Sequence, residues 1–267
     1  MQRRTKPTEF TRRQMALACA AGLFARRASA SSHFQGVEIN HVALRVSDLT
    51  RMEEFLRTHL GSPGIIYERP SSRFLRVGRN FTALFEHEQP RLDHFCISVK
   101  DYAPDAVEKK CRALGLNTRR TETWVYIHDP DGIEVQLAHV DHEVDAPVVR
   151  PAPATSTFKG TGINHVALRV TDIDRSRDFY QEHFGLPVVR QSASNCFLGL
   201  GKNFLALFKA EEPGLDHYCC SIESYDPAAV LAKLEPLNLN ARQHGDRVYF
   251  DAPDGITIQV SSEDHQP

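Results

Sequence analysis

The sequence predicts an α+β protein made of two copies of one domain, each built from two βαβββ modules whose strands join in a cupped mixed sheet. Three observations predict it. The octapeptide Ile39–Val46 (INHVALRV) returns unchanged at Ile163–Val170, and repetition of that length marks a doubled unit. Segments 37–141 and 161–262 then align throughout, with an offset of 124 that falls to 123 after one deletion. Inside each copy the order strand, helix, strands runs twice.

Each element follows from its local pattern. Val37–Val46 alternates, with Val42, Leu44 and Val46 on one face and His41, Ala43 and Arg45 on the other. Thr50 with Glu53, and Thr171 with Asp174, have the spacing of capped helix starts. The helices that follow are expected to end near Gly61 and Gly185. Three short strands are expected near Gly64–Glu68, Arg73–Val77 and Phe81–Glu86. The second module opens with a strand at His94–Val99 and a helix at Pro104–Leu114, begun by proline. Thr123–Ile127 is a strand, Asp129-Pro130-Asp131-Gly132 a tight turn and Ile133–Ala138 the closing strand.

Between the copies, residues 142–160 carry Pro147, Pro151 and Pro153 among small residues, the composition of an extended linker. Residues 1–30 resemble a bacterial twin-arginine export signal. Thr11-Arg12-Arg13-Gln14-Met15-Ala16-Leu17 leads into an apolar run to Ala25, and Ala28-Ser29-Ala30 offers a cleavage site. The run is too short to span a bilayer, so the expected location is the periplasm. Without residues 1–30 the chain holds 25 basic against 33 acidic side chains. An acidic body gives no electrostatic reason to expect nucleic acid or an anionic membrane. Cys19 lies in no lipoprotein box. The other five cysteines have no C-x-x-C spacing and are expected as small buried side chains.

Equivalent strands placed side by side would put matched residues on one concave face. The first copy offers His41, Ala43 and Arg45; His94, Cys96 and Ser98; and Glu134, Gln136 and Ala138. The second offers His165, Ala167 and Arg169; His217, Cys219 and Ser221; and Thr257, Gln259 and Ser261. Two histidines and an oxygen donor from three strands form a metal-ligand set with open positions. His41, His94 and Gln136, and His165, His217 and Gln259, are therefore the candidate ligands. Arg45 and Arg169 have the chemistry to grip an anionic substrate or to reach the rim of the cup.

With these residues in view, each copy resembles a vicinal oxygen chelate domain, the fold of glyoxalase I, extradiol dioxygenases and bleomycin-resistance proteins. The marks are INHVALRV, Leu92-Asp93-His94 with Leu215-Asp216-His217, and the closing run Val125-Tyr126-Ile127-His128-Asp129-Pro130-Asp131-Gly132, matched by Val248 to Gly255. The resemblance implies helices on the outer face of each sheet and a divalent metal: Fe(II) first, with Mn(II), Zn(II) or Ni(II) as alternatives. It implies a small oxygenated, phenolic substrate, with Tyr126 or Tyr249 assisting the chemistry. Gln136 and Gln259 stand where the family usually has glutamate, and Glu134 is two residues away as a possible base. The usual fourth-strand glutamate has no counterpart at Leu84 and Leu207 or Thr82 and Leu205, which disfavours a glyoxalase reaction. The alternative is a non-enzymatic binding protein with vestigial sites and no metal. Pairing of two chains as a homodimer is left open.

Overall fold

The computed structural model describes residues 32–65 and 71–267. The expected export signal with Cys19, and the end of the expected Gly64–Glu68 strand, lie outside the described residues. The first repeat runs β1 (Gly36–Val46), α1 (Leu49–Leu60), β2 (Gly64–Ile65), β3 (Ser72–Val77), β4 (Asn80–Glu86) and β5 (Arg91–Val99). It continues with α2 (Pro104–Ala113), β6 (Thr118–Arg120), β7 (Val125–His128), β8 (Glu134–Ala138) and β9 (Val148–Arg150). The second runs β10 (Gly160–Val170), α3 (Ile173–Phe184), β11 (Val188–Gln191), β12 (Asn195–Leu200), β13 (Asn203–Lys209) and β14 (Gly214–Ile222). It ends with α4 (Pro227–Leu234), β15 (Arg242–His244), β16 (Arg247–Asp251) and β17 (Thr257–Ser261).

The sheet orders are β6-β7-β8-β5-β1-β4-β3-β2-β9 and β11-β12-β13-β10-β14-β17-β16-β15. In each, the first strands of the two modules lie side by side and antiparallel, β1 on β5 and β10 on β14. Two strands depart from the expectation. β6 is a three-residue strand with too few residues to show a period, and it completes the second module. β9 lies inside the expected linker and pairs with β2 as an added edge strand. Arg76 also donates to the carbonyls of Val144 and Ala146, so this segment is built into the first repeat. No helix among the described residues is long and apolar enough to cross a membrane.

The helix caps differ from the expected ones by two residues in α1 and by one in α3. Asp48 and Asp172 cap α1 and α3, accepting from Arg51 N and Arg175 N at 3.0 Å each. Thr171 is occupied elsewhere: its N and Oγ1 donate to Asp131, in the turn of the first repeat, at 3.1 and 2.5 Å. Ser47 makes the same pair of bonds to Asp254 of the second repeat, at 2.9 and 2.6 Å. Each repeat's turn thus holds the helix start of the other.

The apolar sheet faces and the helices form one continuous core drawn from both repeats, including Leu44, Phe95, Leu168, Tyr180, Tyr218 and Phe250. At its centre the repeats exchange backbone bonds through two asparagines. Asn80 donates to Ile39 O at 2.7 Å and accepts from Ile163 N at 2.8 Å. Asn203 donates to Ile163 O at 2.6 Å and accepts from Ile39 N at 3.0 Å. The five described cysteines are free and buried.

Candidate metal centre

Strand register brings the expected ligands together. His41 lies beside Cys96, Cys96 beside Gln136 and Gln136 beside Tyr126. One row higher, Ala43 lies beside His94. The second repeat copies this row as His165, Cys219, Gln259 and Tyr249, with Ala167 beside His217. His94 Nε2 is 3.1 Å from Gln136 Oε1, and His217 Nε2 is 3.2 Å from Gln259 Oε1. The His41 and His94 rings meet edge to face at 5.7 Å, and His165 and His217 at 5.6 Å.

The outer nitrogen of every histidine has its own acceptor. Asn40 Oδ1 lies 2.9 Å from His41 Nδ1, and Asn164 Oδ1 lies 2.8 Å from His165 Nδ1. Asp93 Oδ2 lies 3.1 Å from His94 Nδ1, and Asp216 Oδ2 lies 2.8 Å from His217 Nδ1. Such partners orient the imidazoles, and they leave Nε2 toward the cup as a donor to metal. Burial, with a neighbouring imidazole, holds His41 and His165 well below the usual histidine range. Both are therefore neutral, the form that binds metal. Gln259 Nε2 is buried with no hydrogen-bond partner among the described residues, as expected where another group completes a site. The donor set fits a divalent transition metal, with a neutral amide where a carboxylate would neutralise charge.

The remaining candidates sit one layer out. Arg45 Nε lies 2.6 Å from Asp93 Oδ1, so Arg45 backs the carboxylate that holds His94. Arg169 is looser, 3.6 Å from Asp216. Burial pushes Asp93 up, but the His94 hydrogen bond and the arginines outweigh it and hold the carboxyl below its usual range. Glu134 is bound bidentately by Arg119, at 2.8 Å twice; it lies 3.8 Å from His128 Nε2 and 4.0 Å from the outer nitrogen of His94. Tyr126 packs edge-on to His94 at 5.5 Å and Tyr249 to His217 at 5.3 Å. Burial pushes the Tyr126 hydroxyl up to about 12. The fourth-strand positions need correcting. Parallel pairing of His41 with Phe81 turns Phe81, Ala83 and Phe85 into the cup and sends Thr82 and Leu84 to the core. Phe204, Ala206 and Phe208 do the same in the second repeat, so no carboxylate enters either cup from this strand.

Two histidines escaped the sequence reading. His142 follows β8 and His265 follows β17, the matching closing strands of the two second modules. Their rings lie 5.9 Å from His41 and 5.8 Å from His165. Asn40 and Asn164 donate to their carbonyls at 3.0 and 3.2 Å. The repeated Asp-His pair at 141–142 and 264–265, at the same offset of 123, is the signal that marks them. In the second repeat the cup is nearly closed. A cavity of about 10 Å³, room for roughly one water, remains among His165, Phe204, Tyr249, Gln259, His265 and Pro267.

The family described as the Glyoxalase/Bleomycin resistance protein/Dioxygenase superfamily matches residues 162–218. Solved structures of similar fold include the Mn(II)-bound glyoxalase from Novosphingobium aromaticivorans. It is 18% identical, with a TM-score of 0.70 over 87% of this chain and 84% of that one. An extradiol ring-cleaving dioxygenase from B. fuscum has 17% identity and a TM-score of 0.71 over 89% of this chain and 74% of its own. A variant of homoprotocatechuate 2,3-dioxygenase from B. fuscum, in complex with HPCA, has 18% identity and a TM-score of 0.70 with the same coverage. The family match thus falls on the opening strand, first helix and metal-centre strands of the second repeat, the first repeat carries the same octapeptide, and the chain shares the fold of these structures over most of its length.

Proposed function

We propose that the chain is a metal-dependent enzyme acting on a small oxygenated, phenolic substrate in the manner of an extradiol dioxygenase. The metal is held by His41, His94 and Gln136, and by His165, His217 and Gln259. The observation that carries this reading is that two imidazole nitrogens and one amide oxygen converge in each repeat, every outer nitrogen being tied to its own acceptor. When bound, Fe(II) would supply Lewis acidity and, with O₂, oxidising power for ring cleavage. Tyr126 and Tyr249 stay protonated and donate to a substrate oxygen, while the Arg45–Asp93 pair keeps His94 aimed at the cup. The twin-arginine-type N-terminus makes the periplasm the proposed site of action.

The second reading is a protein that binds a small ligand without turning it over. The neutral Gln136 and Gln259, and the near closure of the second cup, favour it. Titration of the purified chain with Fe(II), Mn(II) and Zn(II), followed by elemental analysis, separates the two. His94→Ala and His217→Ala should each lose one metal equivalent. If neither variant loses metal, the metal-dependent reading fails. Full metal loading without O₂ consumption on any catechol tested would leave the binding role.

A further inference from the structure

A second histidine cluster lies outside both cups, where the chain enters β1. His33 Nδ1 is 2.9 Å from His183 Nδ1, at the last turn of α3. The Glu182 carboxylate and the two nitrogens all lie within 4.8 Å of one another. His183 is buried, His33 half-buried and Glu182 exposed. The backbone docks there too, with His33 N donating to Glu182 O at 3.0 Å and Phe34 N to His183 O at 2.7 Å.

The other repeat shows what this docking needs. Thr157 N donates to Thr58 O at 2.9 Å, and Phe158 N to His59 O at 3.0 Å. His59 Nδ1 is 2.9 Å from Thr157 Oγ1. Positions 157, 58 and 59 correspond to 33, 182 and 183 through the offset of 124. A hydroxyl on an imidazole thus suffices to dock the strand entry onto the helix end. Where the entry to β1 meets the end of α3 both threonines are replaced, Thr157 by His33 and Thr58 by Glu182. Neither is required for docking, and both are metal-ligand types beside a histidine already in place. Two imidazole nitrogens and a carboxylate oxygen at these separations suit zinc, with a fourth position left for water.

We infer that His33, Glu182 and His183 bind a divalent transition metal of the zinc type, clamping the entry to β1 against the end of α3. The site is independent of the cups and of their chemistry. Zinc titration by calorimetry on the full chain tests it, against the double variant His33→Thr with Glu182→Thr. That variant restores the arrangement found where the entry to β10 meets the end of α1, and keeps its docking hydrogen bond. The wild type should bind one zinc more than the double variant. The same extra zinc should persist in the cup variant His94→Ala with His217→Ala. Glu182→Gln should weaken it at least roughly tenfold, since even outer-layer partners of a metal contribute that much. Zinc should also raise the melting temperature of the wild type more than that of the double variant. Equal zinc stoichiometry in the wild type and the double variant would overturn the proposal.

Discussion

At the scale of single residues, the cup is defined by what stands behind each ligand. Arg45 holds Asp93 and Asp93 holds His94, so charge reaches the imidazole through two contacts. Asp93→Asn keeps the shape and removes the charge. It should lower metal affinity at the first cup by roughly 10- to 100-fold and leave the second cup unchanged, as competition with a chelator would show. Gln136→Glu restores a carboxylate and should tighten the same site. His142 sets a pH dependence of its own. Burial lowers it to about 4, from 6.5 when free. Between those values the unfolded chain takes up a proton that the fold refuses. His142 therefore costs the fold nothing above pH 6.5, and stability falls as pH drops from 6.5 toward 4. The upper bound is about 3 kcal/mol, at 1.36 kcal/mol per unit. His142→Gln should flatten that part of the stability–pH curve in urea unfolding; an unchanged slope would remove His142 as its source.

At the scale of elements, the DPDG and APDG turns do more than reverse the chain. Asp131 and Asp254 satisfy the backbone and hydroxyl donors just before α3 and α1. Asp131 also binds Arg175, at 2.6 Å. Charged acceptors on backbone donors contribute about 1.5–3 kcal/mol where buried, and less where water competes. Asp131→Ala should therefore cost about 2 kcal/mol. Asp254→Ala, which lacks the arginine partner, should cost less. Thermal melts of the two variants give the order, and equal losses would assign no weight to Arg175.

At the scale of the whole molecule, the two repeats share one core and should therefore unfold as one unit. Their apolar faces share a core, and each fully buried aliphatic or aromatic side chain contributes about 1.5–3 kcal/mol. Gly78 shows how closely they approach. It has φ of +60°, and a Cβ there would lie 1.8 Å from Thr161 O of the second repeat. Gly78→Ala should destabilise the chain by about 3 kcal/mol, through both repeats in a single urea transition followed by fluorescence and circular dichroism. Two separate transitions would show that the shared core does not couple them.

The doubled unit, the strand faces and the shared face of the six candidate ligands were legible because they rest on local periodicity. Alternation along β1 decides which side chains share a face, and the repeat decides which residues match. His142 and His265 were not legible in the same way, because they lie in the segments after β8 and β17, where no period assigns a face. The Arg45 partner was hidden for a related reason: a side chain at the cup rim can turn to a neighbour or to a ligand, and only the position of Asp93 across the strands selects one. The fourth-strand face likewise depended on a register between β1 and β4 that nothing in either strand specifies alone. By itself the sequence determined the modules, their order and the chemistry available to each cup. The tertiary structure decided which atoms meet, how the repeats lock together and how little room the cup of the second repeat leaves, because those depend on contacts between residues far apart in the chain.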